Sequence, residues 1–165
     1  MQKEYTIGVL VENKSGVLAH IAGLFSGRGF NIESLSVNET LDPTMSQMTI
    51  VTRGDEPMLE QINKQLNKLI EVIKVIDYTQ GSSDHIDREL ALIKVAVTEK
   101  CRAEILSIIE IFRCKVIDVG KSHYTVEVTG DEDKLDAIIE LFRPLGIREI
   151  VRSGKVTLQR ETRTK

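Results

Sequence analysis

The amino-acid sequence predicts an α+β protein made of two tandem βαββαβ domains. Three observations carry that prediction. Stretches with a two-residue apolar alternation interleave with stretches of helical periodicity in the order strand, helix, strand, strand, helix, strand. The same order starts again after about 80 residues, as an internal repeat does. Between the two passes lies a polar stretch carrying Gly and Ser, Thr79 to Arg88, of the composition that links domains.

The elements follow in turn. Tyr5 to Val11 is a β-branched run, and Asn13-Lys14-Ser15-Gly16 ends it with turn and capping residues. Val17, Leu18, Ile21, Leu24 and Phe25 recur at helical spacing, and Gly29 stands where a left-handed cap belongs, so a first helix is predicted from about Ser15 to Arg28. Gly23 and Gly27, four apart, read as permitting that helix to pack closely on the sheet. Phe30 to Val37 and Met45 to Thr52 form a predicted hairpin around Leu41-Asp42-Pro43-Thr44. Asp55 caps a second helix, with Pro57 in its first turn and Leu59, Ile62, Leu66 and Leu69 on one face. Ile70 to Tyr78 closes the unit as a strand.

In the second half Leu90 to Thr98 is a strand, and Ile105, Ile108, Ile109 and Phe112 mark a helix face. Cys114 to Val119 and Tyr124 to Val128 make a hairpin around Gly120-Lys121. Asp131 caps a helix whose face is Leu135, Ile138, Ile139 and Phe142. Ile147 to Val151 ends the repeat, with Val156-Thr157-Leu158 offering an additional strand. Each half is therefore ferredoxin-like, two helices on one face of a four-stranded antiparallel sheet. The predicted division is 1–79, a linker at 80–88, and 89–165 with a short basic tail. Sheets this short leave edges to cover, and dimerisation covers them.

Composition narrows the function. Of 165 residues 41% are hydrophobic but only 4% aromatic, with no Trp, so Ile, Leu and Val must build the cores. Twenty-two basic against 25 acidic side chains give −3, which offers no footprint for a nucleic acid. Arg28-Gly29-Phe30-Asn31-Ile32 echoes an RNA-recognition stretch, but on the second strand instead of the third and without a neighbouring aromatic pair. Two cysteines, no leader-like start and no long apolar run lead to the expectation of a soluble cytoplasmic protein, free of any membrane. His20, His85, His123, Cys101 and Cys114 have no metal-ligand spacing, and no nucleophile elbow or phosphate loop is present. Neither a metal nor a catalytic residue is expected. The acidic pairs Asp55-Glu56 and Asp131-Glu132 read as helix caps.

The turn Asn13-Lys14-Ser15-Gly16 and the later Asn31 carry the remaining chemistry. A helix N-terminus offers unpaired N–H groups and partial positive charge, which suits a carboxylate. Gly16 leaves room for a ligand, Asn13 and Asn31 supply amide donors and acceptors, and Val17, Leu18 and Ile32 supply apolar wall. Together they describe a pocket for a small zwitterion with an aliphatic side chain. The same residue types are ordinary in turns and caps, and spacing alone does not separate the two readings.

Leu10 to Leu18, Gly23-Leu24-Phe25-Ser26 and Arg28 to Leu35 resemble an ACT domain, and more specifically the regulatory small subunit of acetohydroxyacid synthase (acetolactate synthase). The resemblance continues through Asp42-Pro43, Met48-Thr49-Ile50, Gly54-Asp55-Glu56 and Leu59 to Leu69. In the second half it takes in Arg88-Glu89-Leu90, Phe112-Arg113, Ile117-Asp118-Val119, Lys134 to Ala137 and Arg152-Ser153-Gly154. It implies a non-catalytic subunit that forms a homodimer, activates a catalytic large subunit and confers feedback inhibition by valine or a related branched-chain amino acid. It also implies that thiamine diphosphate, Mg and FAD belong to the catalytic partner and that this chain binds no cofactor. The effector of the family lies between two ACT domains, at positions that here are Asn13, Gly16, Asn31 and Ile32, with Val17 and Leu18 adjoining. His20 and Gln47 depart from an arginine common in the family, Ser15 from a frequent proline, Cys114 from a small residue, and Glu161 from a glycine. A free-standing amino-acid-sensing ACT module serving another enzyme or a transcriptional regulator is the alternative, and the likeness of the second half speaks against it.

Overall fold

A computed structural model describes residues 3–79 and 85–160. The chain divides into two units: the part up to Ile86 together with the segment from Lys155, and Asp87–Gly154. The first contains β1 (Lys3–Glu12), α1 (Val17–Ser26), β2 (Ser34–Glu39), β3 (Met45–Gly54), α2 (Glu56–Leu66) and β4 (Val72–Asp77). The second contains α3 (Arg102–Ile111), β6 (Lys115–Val119), β7 (His123–Gly130), α4 (Glu132–Gly146), β8 (Ile147–Arg152) and most of β5 (His85–Ala96), and β9 (Val156–Gln159) follows it in the chain. Both passes have the predicted ferredoxin-like order, with antiparallel sheets β2-β3-β1-β4 and β6-β7-β5-β8.

In the first unit, the alternation of β1 turns Tyr5, Ile7, Val9 and Val11 inward. They meet Met48 and Ile50 of β3, Val17, Ile21 and Phe25 of α1, and Leu59, Ile62 and Leu66 of α2. Each fully buried side chain of this size contributes about 1.5–3 kcal/mol. The opposite face of β1 is covered at Gly8 by Tyr78, whose ring would stand 2.6 Å from any added Cβ. The Asp55 carboxylate accepts from the Met58 N–H at 2.9 Å and starts α2 as expected. α1 ends with Gly29 at φ +70° and the Phe30 N–H donating back to the Phe25 carbonyl at 3.0 Å, a Schellman closure.

In the second unit Ala91, Ile93 and Val95 of β5 meet Val126 and Val128 of β7, Ile105 and Ile109 of α3, and Leu135, Ile138 and Phe142 of α4. Asp131 caps α4 through the Lys134 N–H at 3.0 Å. Glu89 is buried at 6% exposure and takes both ends of the Arg152 guanidinium at 2.7 Å. Beside that pair the Ser153 N–H donates to the Leu90 carbonyl and the Leu90 N–H to the Ser153 hydroxyl. The two segments singled out in the second half, Arg88-Glu89-Leu90 and Arg152-Ser153-Gly154, are thus each other's partners.

Several boundaries differ from the sequence reading. Phe30 to Glu33 is a loop, and β2 starts only at Ser34. The reason lies on β3: the Asn31 carbonyl accepts from the Thr52 hydroxyl at 2.7 Å, and the backbone ladder toward β3 begins with the Glu33 N–H on Val51. The expected linker is shorter, because residues 85–88 already belong to β5; residues 80–84 lie outside the described residues. The segment from Lys155 groups with the first unit, held there by Lys155 on Glu4 and Ser34. β9 pairs with β5, whose first residues, His85 and Ile86, belong to the first unit too. Gly23 and Gly27 are exposed, and a Cβ at Gly23 would meet nothing, so close packing on the sheet is not their role. Among the described residues no helix is long and apolar enough to cross a membrane.

Candidate functional site

The turn between β1 and α1 is built by Asn13 and Gly16. The Asn13 N–H donates to the Thr44 carbonyl at 2.7 Å, and its side-chain amide donates to the Pro43 carbonyl at 2.9 Å and to Glu39 Oε2 at 3.3 Å. Those donors tie the turn to the β2–β3 hairpin. Gly16 has φ +89°, a left-handed conformation in which a side chain is strained, and open space surrounds it. No side chain caps α1, in contrast to the aspartates at α2 and α4. The Val17 N–H turns back to the Lys14 carbonyl at 3.4 Å, and with no side-chain cap the rest of the first turn presents its N–H groups to an anion. Leu18 is 44% exposed beside them, whereas Val17, at 4%, is a core residue and supports the turn from within.

Asn31 and Ile32 sit on the loop that precedes β2. The Asn31 amide donates to Glu33 Oε1 at 2.9 Å, and Ile32 packs half-buried against the core. Asn31 fronts a cavity of about 590 Å³ that Gly29, Glu33, Arg53 and Asp55 also line. Arg53 reaches Glu4 at 3.5 Å, and Glu4 in turn accepts from the Lys155 ammonium at 2.6 Å. Burial pushes the Glu4 carboxyl up, but Lys155 and then Arg53 outweigh it and hold the group below its ordinary value. Glu4, Glu39, Arg53, Thr52 and Lys155 escaped the sequence reading. Lys155 and Glu4 are 151 positions apart, so no local pattern joins them.

One chain does not bring the two asparagines together. Asn13 bonds at Thr44, just before β3, and Asn31 at Thr52, near its far end. Eight residues of extended chain at about 3.3 Å each separate the two ends by roughly 26 Å. A free amino acid spans far less. The residues thus fall into two groups, Asn13, Gly16 and Leu18 at one end of the sheet and Asn31 and Ile32 at the other.

The remaining titratable groups have local roles. His20 meets Glu71 at 3.0 Å on the exposed side of α1, and His123 lies 3.6 Å from Asp118 across the β6–β7 hairpin. Cys101 starts α3, where the Thr98 hydroxyl and N–H hold its thiol below the ordinary value; burial pushes Cys114 up. Among the described residues no three His, Cys, Asp or Glu side chains cluster as metal ligands do.

Comparison with known proteins covers both units. Residues 88–161 match the family described as the small subunit of acetolactate synthase, and residues 7–74 match the small-subunit-like ACT domain of acetohydroxyacid synthase. The chain is 52% identical over 157 residues to the probable acetolactate synthase small subunit of Archaeoglobus fulgidus, covering 95% of this chain and 97% of that protein. It is 52% identical over 160 residues to the acetolactate synthase small subunit of Aquifex aeolicus, covering 96% and 82%. The crystal structure of the acetolactate synthase small subunit from Thermotoga maritima superposes with a TM-score of 0.87 at 41% identity, over 97% of this chain and 99% of that one.

Proposed function

The chain belongs to the acetolactate synthase small-subunit family, and on that premise we propose that it is a non-catalytic regulatory subunit whose dimer binds valine or a related branched-chain amino acid. It raises the activity of a catalytic large subunit, which carries thiamine diphosphate, Mg and FAD, and it lowers that activity again when the end product accumulates. This chain supplies the sensor and no reacting group.

The observation that carries the reading is the placement of the two half-sites relative to the free edge β2. β2 runs from the Asn31 end at Ser34 to the Asn13 end at Glu39, and it is an edge strand. An isologous dimer pairing two such edges antiparallel lays residue 34 of one copy near residue 39 of the other. The Asn31–Ile32 half of one chain then faces the Asn13–Gly16 half of the second, and a 26 Å separation within one chain becomes adjacency between two. Each dimer gains two equivalent sites. In each, the effector carboxylate meets the first-turn amides of α1, the asparagine side chains take its ammonium, and Leu18 and Ile32 flank an aliphatic side chain. Because such a ligand binds only the assembled dimer, it also tightens it by mass action.

Reconstitution tests the proposal. The isolated chain forms no acetolactate; added to the catalytic subunit it increases the rate, and valine, leucine or isoleucine reverses the increase. A chain that leaves the catalytic subunit's rate unchanged overturns the regulatory reading. A complex that none of the three amino acids inhibits overturns the effector reading.

A further inference from the structure

Lys155 is a lysine at 12% side-chain exposure, far from both ends of the first sheet in sequence and yet joined to two of its strands. Its ammonium donates to Glu4 of β1 at 2.6 Å, and its backbone N–H donates to the Ser34 hydroxyl at the first residue of β2, at 3.3 Å. Gly154, at φ +79°, makes the turn that ends the Ser153–Leu90 pairing and delivers Lys155 to this position. Glu4 also holds Arg53, which lines the cavity that Asn31 opens on. Within the loop 30–33, Phe30 and Ile32 pack on the core and Asn31 is tied through its carbonyl to Thr52 and through its amide to Glu33, but the ladder to β3 begins only at Glu33, so the polar edge facing the cavity depends on what holds Ser34.

Lys155 therefore closes a clasp over the loop's exit. Through Ser34 it fixes where β2 starts, and through Glu4 it fixes the arginine on the cavity's far wall. A largely covered ammonium in a short bond to a carboxylate makes a directional, charge-assisted tie that an apolar side chain does not make. We infer that Lys155 is a positioning residue for the Asn31–Ile32 half of the amino-acid site, setting effector affinity without touching the effector. This rests on the effector reading above and adds to it a residue from the other end of the chain.

Lys155→Met and Lys155→Arg in the full-length protein test it by two readouts. Hydrogen exchange of the Glu33 and Ser34 amides follows the clasp itself, and a valine titration of the complex with the catalytic subunit follows its consequence. Lys155→Met accelerates exchange at Glu33 and Ser34 at least tenfold, leaves the amides of Ile7, Val9 and Leu59 unchanged, and raises the half-inhibiting valine concentration about tenfold. Lys155→Arg, which keeps a cation on Glu4, restores both to within about threefold. Glu4→Gln, which removes the carboxylate that both Lys155 and Arg53 meet, shifts both readouts in the same direction as Lys155→Met. Unchanged exchange in Lys155→Met overturns the clasp. Faster exchange with an unchanged valine response overturns its role in the effector site. Faster exchange in a variant whose parent responds to none of valine, leucine and isoleucine overturns the effector reading, and the effector role of Lys155 with it. General loss of exchange protection across the first unit assigns Lys155 to folding alone and also overturns the proposal.

Discussion

The two units share one plan and differ where it would matter to a ligand. Neither α1 nor α3 has a side-chain cap, but in the first unit the β1–α1 turn holds Gly16 in a left-handed conformation with open space around it. At the corresponding start of α3 stands Cys101, in a right-handed conformation, with its thiol engaged by Thr98. The next connection differs as well. α1 and β2 are joined by residues 27–33, which include Asn31 and Ile32, while α3 and β6 are joined by 112–114 alone. Among the described residues, the second unit has no counterpart of the Gly16 turn or of the Asn31–Ile32 connection. The repeat therefore teaches that scaffold and proposed sensor are separable: identical order, similar cores and equivalent Asp caps on α2 and α4, with the groups proposed to bind the effector confined to two connections of the first copy.

The largest expected effects test the shared scaffold. Phe25→Ala and Phe142→Ala each empty a fully buried ring position, one in each core. Each should cost about 3–5 kcal/mol in denaturant unfolding. A cost confined to one of them would break the equivalence of the two cores. Next come the groups that set the units apart. Gly16→Asp adds a carboxylate at the anion position and the strain of a side chain at φ +89°, and Asn31→Ala removes a polar partner. Either should weaken valine about tenfold to a hundredfold, equivalent to about 1–3 kcal/mol, in a titration of the complex. Cys101→Ser, at the matching turn of the second unit, should leave that titration unchanged.

Smaller effects sharpen the same contrast. Asp55→Ala and Asp131→Ala should each cost about 1 kcal/mol, because both caps make one equivalent bond to a helix N–H. The acid limb should differ between the units. Glu4 is held below its ordinary value of 4.5, so its contribution is complete above that pH and is lost as pH falls through the folded value. Lys155→Met removes part of that lowering and should flatten the acid limb of the first unit's unfolding, followed by the hydrogen exchange of β1 amides, while β7 amides keep theirs.

The sequence made the fold legible wherever periodicity and caps are local. The alternation of Tyr5 to Val11, the Leu59-Ile62-Leu66 face and the aspartate caps all act within a few residues, and each is found as read. What escaped depends on distant partners. The start of β2 is set by Thr52 and Lys155, the start of β5 precedes the apolar run that marks it, and Glu4 acquires its role from a lysine 151 positions away. The proposed site was legible as residue types, Asn13, Gly16, Leu18, Asn31 and Ile32. Their separation along β3 was not, because residue types carry no register.

The central claim is that one effector site needs the Gly16 turn of one chain and the Asn31 loop of another. Mixed dimers test it directly. A dimer of one Gly16→Asp chain with one Asn31→Ala chain contains one site carrying both changes and one site carrying neither. Calorimetric titration with valine should then find two sites in the unsubstituted dimer, no high-affinity site in either variant homodimer, and one restored site in the mixed dimer. A mixed dimer that recovers no high-affinity site, as a site contained within each chain requires, would contradict the account.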